Sequence, residues 1–279
     1  MPRIPPLAVA ALLVSATCAL AQHAGSPVEN AALDTSPRLG RAQQAFFDAR
    51  YEEAAAVTVG TCAATFDNLA ACELRTAALL FQIKRAVGTA PDKQHAWKQC
   101  AVCPELLSAF VTSLTRGQSV ARARLQAHPD DLATLFFLGK LDLNYVWLQL
   151  GTLGRKTGWS EYWEGRRALD QVLKVHPGHV RARVARGWID YIVDTKMPRG
   201  TRWMLGGGSK RRGLLAVRQA AEADADFFTR AEARFALWDM QVRERDLPQA
   251  VATARALSRD FPNNEELSSF IAAHAREGY

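Results

Sequence analysis

The same short phrase recurs at three places in this chain. It reads LQAHPD at 125–130, LKVHPG at 173–178 and SRDFPN at 258–263. Each copy closes a segment with apolar residues at helical spacing, and its proline ends the helix because proline lacks the amide hydrogen and clashes with the preceding turn. Self-similarity of this kind is typical of stacked helical hairpins. Since no strand-like alternation of useful length appears elsewhere, the sequence predicts an all-α fold.

The clearest hairpin lies between 226 and 261. The apolar residues of its first helix step by three, four, three and four positions along one face: Phe228, Ala231, Phe235, Trp238 and Val242. Asp246-Leu247-Pro248 makes the turn, because proline is tolerated in the first turn of the next helix. The second helix carries one apolar face made of Ala250, Ala254, Leu257 and Phe261.

This hairpin resembles the tetratricopeptide repeats. Leu237 falls where that family places its first-helix leucine, Ala250 where it needs a small residue for helix contact, and Pro262 at its closing proline. Trp238 departs from the small residue that the family prefers after the leucine, so the packing there must be adjusted. The resemblance implies a superhelical array that binds a protein or peptide and carries no catalytic residue.

Similar second helices are predicted upstream. One begins at Tyr51, and three others carry small or apolar residues at helical spacing in 114–121, 162–169 and 213–220. The sequence therefore predicts a tetratricopeptide-like superhelical array of about five antiparallel hairpins.

The repeated prolines are unevenly spaced. Pro129, Pro177 and Pro262 lie 48 and then 85 residues apart, which is longer than multiples of the family's usual period. Two loop insertions explain the difference, one at 88–104 and one at 196–209.

The second insertion refines the resemblance. Gly187-Trp188-Ile189-Asp190-Tyr191, then Pro198, the run Leu205-Gly206-Gly207-Gly208 and Gly213-Leu214 are similar to a group of uncharacterised exported bacterial repeat proteins. A weaker resemblance is to the periplasmic helical-repeat component associated with TRAP transporters. Neither resemblance implies a catalytic residue.

The first residues are typical of a secretion signal. Arg3 gives a positive start, the apolar run at 7–20 is too short for a stable membrane span, and Ala19-Leu20-Ala21 is a small-x-small cleavage site. We expect 1–21 to be a signal peptide, 22–34 a flexible segment and 35–279 the helical-repeat domain. We expect no transmembrane segment after cleavage.

Export and composition suggest a location. Arginine far outnumbers lysine and alanine is abundant, which suggests a GC-rich bacterial genome and hence the periplasm. Cys18 raises the alternative of a lipid-anchored envelope protein, although the preceding Thr17 makes a poor lipobox.

Four cysteines follow the cleavage site: Cys62, Cys72, Cys100 and Cys103. An even number in an exported protein favours disulfides, with three possible connectivities. Bonds such as Cys62–Cys72 and Cys100–Cys103 would each close a short loop and contribute on the order of 2–3 kcal/mol. Thiol–disulfide exchange through the CxxC pair and a zinc site are the alternatives, but the strand–helix–strand setting of the first is absent and the nine-residue gap between the first two cysteines does not suit the second.

The segment 155–218 is rich in both positive charge and aromatic rings. It holds fifteen Lys or Arg and five Asp or Glu, a balance of +10, so that the rest of the +7 chain sums to −3. Cations attract anionic partners over a distance, and flat rings offer stacking surfaces. The alternative is a solvated face over packed rings. The residues we select for partner binding are Trp159, Tyr162, Trp163, Arg183, Trp188, Tyr191, Arg199, Arg202, Trp203, Lys210, Arg211 and Arg212.

Within that segment, 206–212 reads GGGSKRR. A phosphate-binding P-loop needs its Ser or Thr after the lysine and a preceding strand, so nucleotide hydrolysis is rejected. A milder hypothesis is that amides at the start of the next helix, with Lys210 and Arg211 nearby, hold an anion.

No motif predicts an enzyme. His176 and His179 flank a Pro-Gly turn, which is not metal-ligand geometry, and no nucleophile with a nearby base is apparent. Asp190 and Asp194 are interpreted as counter-charges for nearby arginines. We predict no cofactor and no metal.

Three functional hypotheses remain. The first is an exported, non-catalytic scaffold or adaptor of the bacterial cell envelope, whose curved groove and basic aromatic surface bind a protein or peptide, acidic in character, or another anionic envelope component; export excludes nucleic acid. The second is a small-ligand or lipid-binding component of an envelope transport system, in which the two insertions close over a cavity. The third is thiol–disulfide exchange through Cys100 and Cys103.

Overall fold

A computed structural model describes residues 37–63, 68–88 and 92–274 of the chain. The described residues are helical and include no strand, which confirms the all-α prediction. The described residues gather into one compact unit. The twelve α-helices of the described residues are α1 (Pro37–Phe47), α2 (Tyr51–Ala63), α3 (Leu69–Val87), α4 (Lys93–Gln99), α5 (Cys103–Ala127), α6 (Leu132–Val146), α7 (Trp159–Val175), α8 (Val180–Lys196), α9 (Lys210–Ala221), α10 (Phe227–Arg243), α11 (Leu247–Asp260) and α12 (Glu265–His274).

Consecutive long helices pack in pairs. The pairs are α1 with α2, α3 with α5, α6 with α7, α8 with α9, and α10 with α11, while α12 packs on α11. Three-residue turns join α1 to α2 and α10 to α11, and helices joined by turns this short can pack along their lengths only by running antiparallel. Both predicted loop insertions contain short helices: α4 lies in the first, and a 3-10 helix, Arg199–Leu205, lies in the second. A π-helical turn, Trp147–Thr152, extends α6 and was not predicted from the sequence.

The repeated phrase forms the same turn three times. The helices end at Ala127, Val175 and Asp260, as the prolines predicted. In each copy the residue before the proline donates its amide to a carbonyl four residues back, and its own carbonyl accepts from the amide three residues on, at distances of 2.7–3.2 Å. That third residue is the N-cap of the next helix, so one phrase both ends a helix and begins its successor.

The caps at these positions are side chains. Asp131 accepts from the Thr134 amide at 3.1 Å, and Asn264 from the Leu267 amide at 3.1 Å. His179 takes the same place through its Nδ1 atom, which accepts from the Ala182 amide at 3.2 Å. The two histidines considered above as metal ligands therefore lie at a helix cap.

Glycine pairs let two hairpins close tightly. Gly139 faces Gly165 between α6 and α7, and Gly187 faces Gly213 between α8 and α9; both glycines of the second pair lie 48 residues after those of the first. A Cβ at Gly213 would lie 2.5 Å from the Gly187 carbonyl oxygen, so only glycine fits.

The last helices close back on the first pair. The Phe47 ring stacks on Phe235 at 5.4 Å between centroids and also contacts Phe261. The buried Asn264 amide donates to the Phe47 carbonyl at 2.7 Å, while its oxygen caps α12. Glu266 of α12 pairs with Arg85 of α3 at 3.0 Å. The array is therefore closed by contacts between residues more than 180 positions apart.

The four cysteines of the described residues form two disulfides, Cys62–Cys72 and Cys100–Cys103. The first joins α2 to α3 across residues 64–67, and the second joins the end of α4 to the start of α5. The expectation of disulfides is confirmed, with the pairing Cys62–Cys72 and Cys100–Cys103; their structural role stays a prediction. The predicted signal peptide, its cleavage site and the segment 22–34 lie outside the described residues. No helix in the described ranges is both long and apolar enough to cross a membrane.

The histidine cap makes stability depend on pH. Burial, then the charges of Arg181 and His176, lower the pKa of His179 to about 4. Its unfolded pKa is about 6.5, so the unfolded chain binds more protons between these values, and stability should fall as pH drops from about 6.5 to about 4, by at most about 3 kcal/mol.

His179→Asp installs the type of cap found at Asp131 and Asp226. We expect this variant to lose less of its free energy of unfolding as the pH falls over the same range. Urea unfolding at a series of pH values measures it. Parallel pH profiles for the two proteins would show that the cap does not titrate.

Candidate functional site

Four charged side chains meet between the first helices of the pairs. Lys140 of α6 lies 2.7 Å from Glu232 of α10 and 3.5 Å from Glu73 of α3. Arg181 of α8 contacts the same two carboxylates, Glu73 at 3.1 Å and Glu232 more closely. These four residues form the central ion cluster; their side chains are between 6% and 18% exposed.

The charges of the central ion cluster balance. Burial raises the pKa of Glu232, but the charges of Arg181 and Lys140 outweigh it and hold that pKa well below its usual value. Each cation bridges two helices, so α3, α6, α8 and α10 converge on one point. The first helices are thus joined by the cluster and by the Phe47 contacts. The expected peptide groove stays a prediction, and what the structure adds is this set of contacts between the first helices of the described chain.

We expect Glu232→Gln to destabilise the protein by about 3–5 kcal/mol, because it leaves two buried cations facing one carboxylate. Asp239→Asn on the same helix is the control: its pair with Arg243 is exposed and should cost under about 1 kcal/mol. Chemical denaturation measures both. Equal, small losses would mean that the cluster does not join the helices.

The second insertion is firmly attached to α7. The Tyr162 hydroxyl donates to the Leu205 carbonyl at 2.7 Å, and the Arg166 guanidinium donates to the carbonyls of Leu205 and Gly206 at 3.0 and 2.9 Å. Gly206 and Gly207 then adopt left-handed backbone conformations that lead into α9. The 3-10 helix is consequently held in place by buried hydrogen bonds.

Two of the selected aromatic residues are buried. Tyr162 serves the attachment just described, and Tyr191 donates its hydroxyl to Glu244 at 2.8 Å. Trp188 is half-buried, with the Tyr191 ring 5.6 Å away and the Arg243 guanidinium 5.4 Å from its centre. Burial takes the two tyrosines out of any partner surface, and aromatic character alone could not distinguish them from exposed rings.

Several selected cations are already paired. Lys210 lies 2.6 Å from Glu244, Arg212 lies 3.5 Å from Asp190, and Arg202 pairs closely with Asp194. The interpretation of the two aspartates as counter-charges is therefore confirmed.

Three other selected cations are not ion-paired within the described residues. Arg183 hydrogen-bonds to the neutral Gln219 at 2.6 Å. Arg199 and Arg211 are exposed and make no ion pair with any residue in the described ranges. These two carry charge that a partner could neutralise.

The most exposed large apolar side chains nearby lie at the end of the 3-10 helix. Trp203 is 76% exposed and Met204 58% exposed, whereas Trp159, in the first turn of α7, is 41% exposed. Trp163 is half-buried, with its ring 5.3 Å from Tyr162. We call Arg199, Trp203, Met204 and Arg211 the basic tip. Met204 is the member that our sequence selection missed, since an apolar residue in a loop carries no distinguishing signal.

The hypothesised anion position at the start of α9 is taken by the protein itself. The Lys210 amide donates to the Asp194 carboxylate at 2.7 Å, and the Arg212 amide donates to the Ser209 hydroxyl at 3.3 Å. A Cβ at Gly208 would meet the Asp190 carbonyl at 2.8 Å, so its glycine serves close packing against α8.

Other candidate sites are weaker. In the described ranges no cluster of three His, Cys, Asp or Glu could hold a metal. Beside α4 lies an open depression of about 630 Å³, lined by Asp92, Lys93, Gln94, Leu153 and Gly154. The basic tip remains the candidate site.

The chain matches no known family model, no curated protein and no solved structure.

Proposed function

We propose that the protein is an exported, non-catalytic scaffold or adaptor of the bacterial cell envelope, built as a tetratricopeptide-like superhelical array. It binds an anionic partner, an acidic protein segment or another envelope component, on its outer basic surface. Because the first helices are tied together, the partner docks outside rather than in a groove between them.

The observation that carries the proposal is the presentation of Trp203. Trp203 is 76% exposed beside Met204, which is 58% exposed, and buried hydrogen bonds from Tyr162 and Arg166 hold the adjoining backbone in place. Rigid aromatic anchors with flanking cations are typical of the residues that dominate binding energy at interfaces. The two disulfides support the exported location, because such bonds persist in oxidising compartments.

We expect Arg199→Glu with Arg211→Glu to release the protein from isolated bacterial envelopes, reducing co-sedimentation at least tenfold, because the charge of the basic tip is reversed. Arg255→Glu with Arg259→Glu on α11 changes the net charge equally and should leave binding intact. Undiminished binding of the first variant, with both variants folded by circular dichroism, would refute the proposal.

A further inference from the structure

Chemistry at the basic tip identifies the class of partner. From 195 to 212 the chain carries six cations (Lys196, Arg199, Arg202, Lys210, Arg211 and Arg212) and no carboxylate. Asp194 neutralises Arg202, and Asp190 and Glu244 face Arg212 and Lys210. Arg199 and Arg211 are therefore the two arginines without an ion pair in the segment of the described chain that carries Trp203 and Met204.

The shape of the basic tip is that of a projection. Trp203 and Met204 are 76% and 58% exposed, so neighbouring elements of the described chain leave most of both side chains uncovered. Peptide recognition uses an open strand edge, a hydrophobic groove, an aromatic-lined channel or, for acidic motifs, a cluster of arginines. A bilayer interface, in contrast, accepts a projecting tryptophan at the level of the headgroups, with arginines paired to lipid phosphates.

We propose that the basic tip docks the protein onto an anionic phospholipid surface. Trp203 and Met204 enter the interfacial region, while Arg199 and Arg211 pair with phosphates. This inference rests on the proposed function and names its partner as the lipid itself rather than an acidic protein.

The interaction predicts a strong dependence on lipid charge and on salt. Each arginine near an anionic bilayer should strengthen binding about fivefold at physiological ionic strength. Removing the Trp203 ring should weaken binding about tenfold, because the bound state then loses the transfer of that ring from water into the bilayer interface. Raising the salt concentration should release the protein, since phosphate pairing at a surface is screened.

The test uses the full chain with vesicles of phosphatidylglycerol and phosphatidylcholine, and with phosphatidylcholine alone. All variants share the same N-terminal residues, so differences among them report the basic tip. We expect Trp203→Ser, and Arg199→Glu with Arg211→Glu, to reduce affinity for anionic vesicles at least tenfold, while Arg255→Glu with Arg259→Glu matches the parent. Brominated lipids should quench the parent's tryptophan emission more than that of Trp203→Ser.

Other outcomes overturn the inference in distinguishable ways. If inorganic phosphate, at a concentration equal to that of the lipid phosphate, displaces the protein from the vesicles, the basic tip is a free-anion site and not a lipid-binding surface. If the tip variants lose binding to envelopes but bind vesicles like the parent, an acidic protein is the partner and the proposed function stands. If neither binding changes, both the inference and the proposed function fail.

Discussion

The central ion cluster is the interaction on which the rest of the architecture depends. Two cations and two carboxylates, contributed by α3, α6, α8 and α10, are packed so that each cation touches both acids. Removing such charges from water costs several kcal/mol per ion, and the pairs repay it only in good geometry. A shift of any one helix would strand a buried charge, so the cluster fixes the mutual positions of four helices from separate hairpins.

Closure follows from the same geometry. With the first helices drawn together, the turn before α12 reaches the end of α1, where Asn264 binds the Phe47 carbonyl. The ions and the phenylalanine rings lie between helices of separate hairpins in the described chain. Under the proposed function, a partner approaches from outside, at the second insertion. The break in the repeat period matters because it places an exposed tryptophan on a rigid support.

Much of the local structure could be predicted from the sequence, because its causes are local. Proline stops helices within a few residues, and the step pattern of α10 reports one buried face. The closure of the array and the ion pairs could not be predicted, since they join residues far apart in the sequence. Nothing near Asn264 indicates its hydrogen bond to Phe47, and nothing near Lys210 indicates its ion pair with Glu244. The same limit applies to the site. Tyr191 and Trp203 belong to one aromatic segment, yet one is buried and the other is exposed.

The most direct test of closure is the distance between the first and last hairpins. Spin labels at Glu53→Cys on α2 and Ser268→Cys on α12 lie two residues from Tyr51 and Glu266, whose side chains are 3.4 Å apart. Closed helices should give one narrow distribution within roughly 20 Å, given the helix rise and diameter. An open array, with neighbouring helices 8–10 Å apart, should give a broad distribution near roughly 40 Å or beyond, and that result would contradict the account.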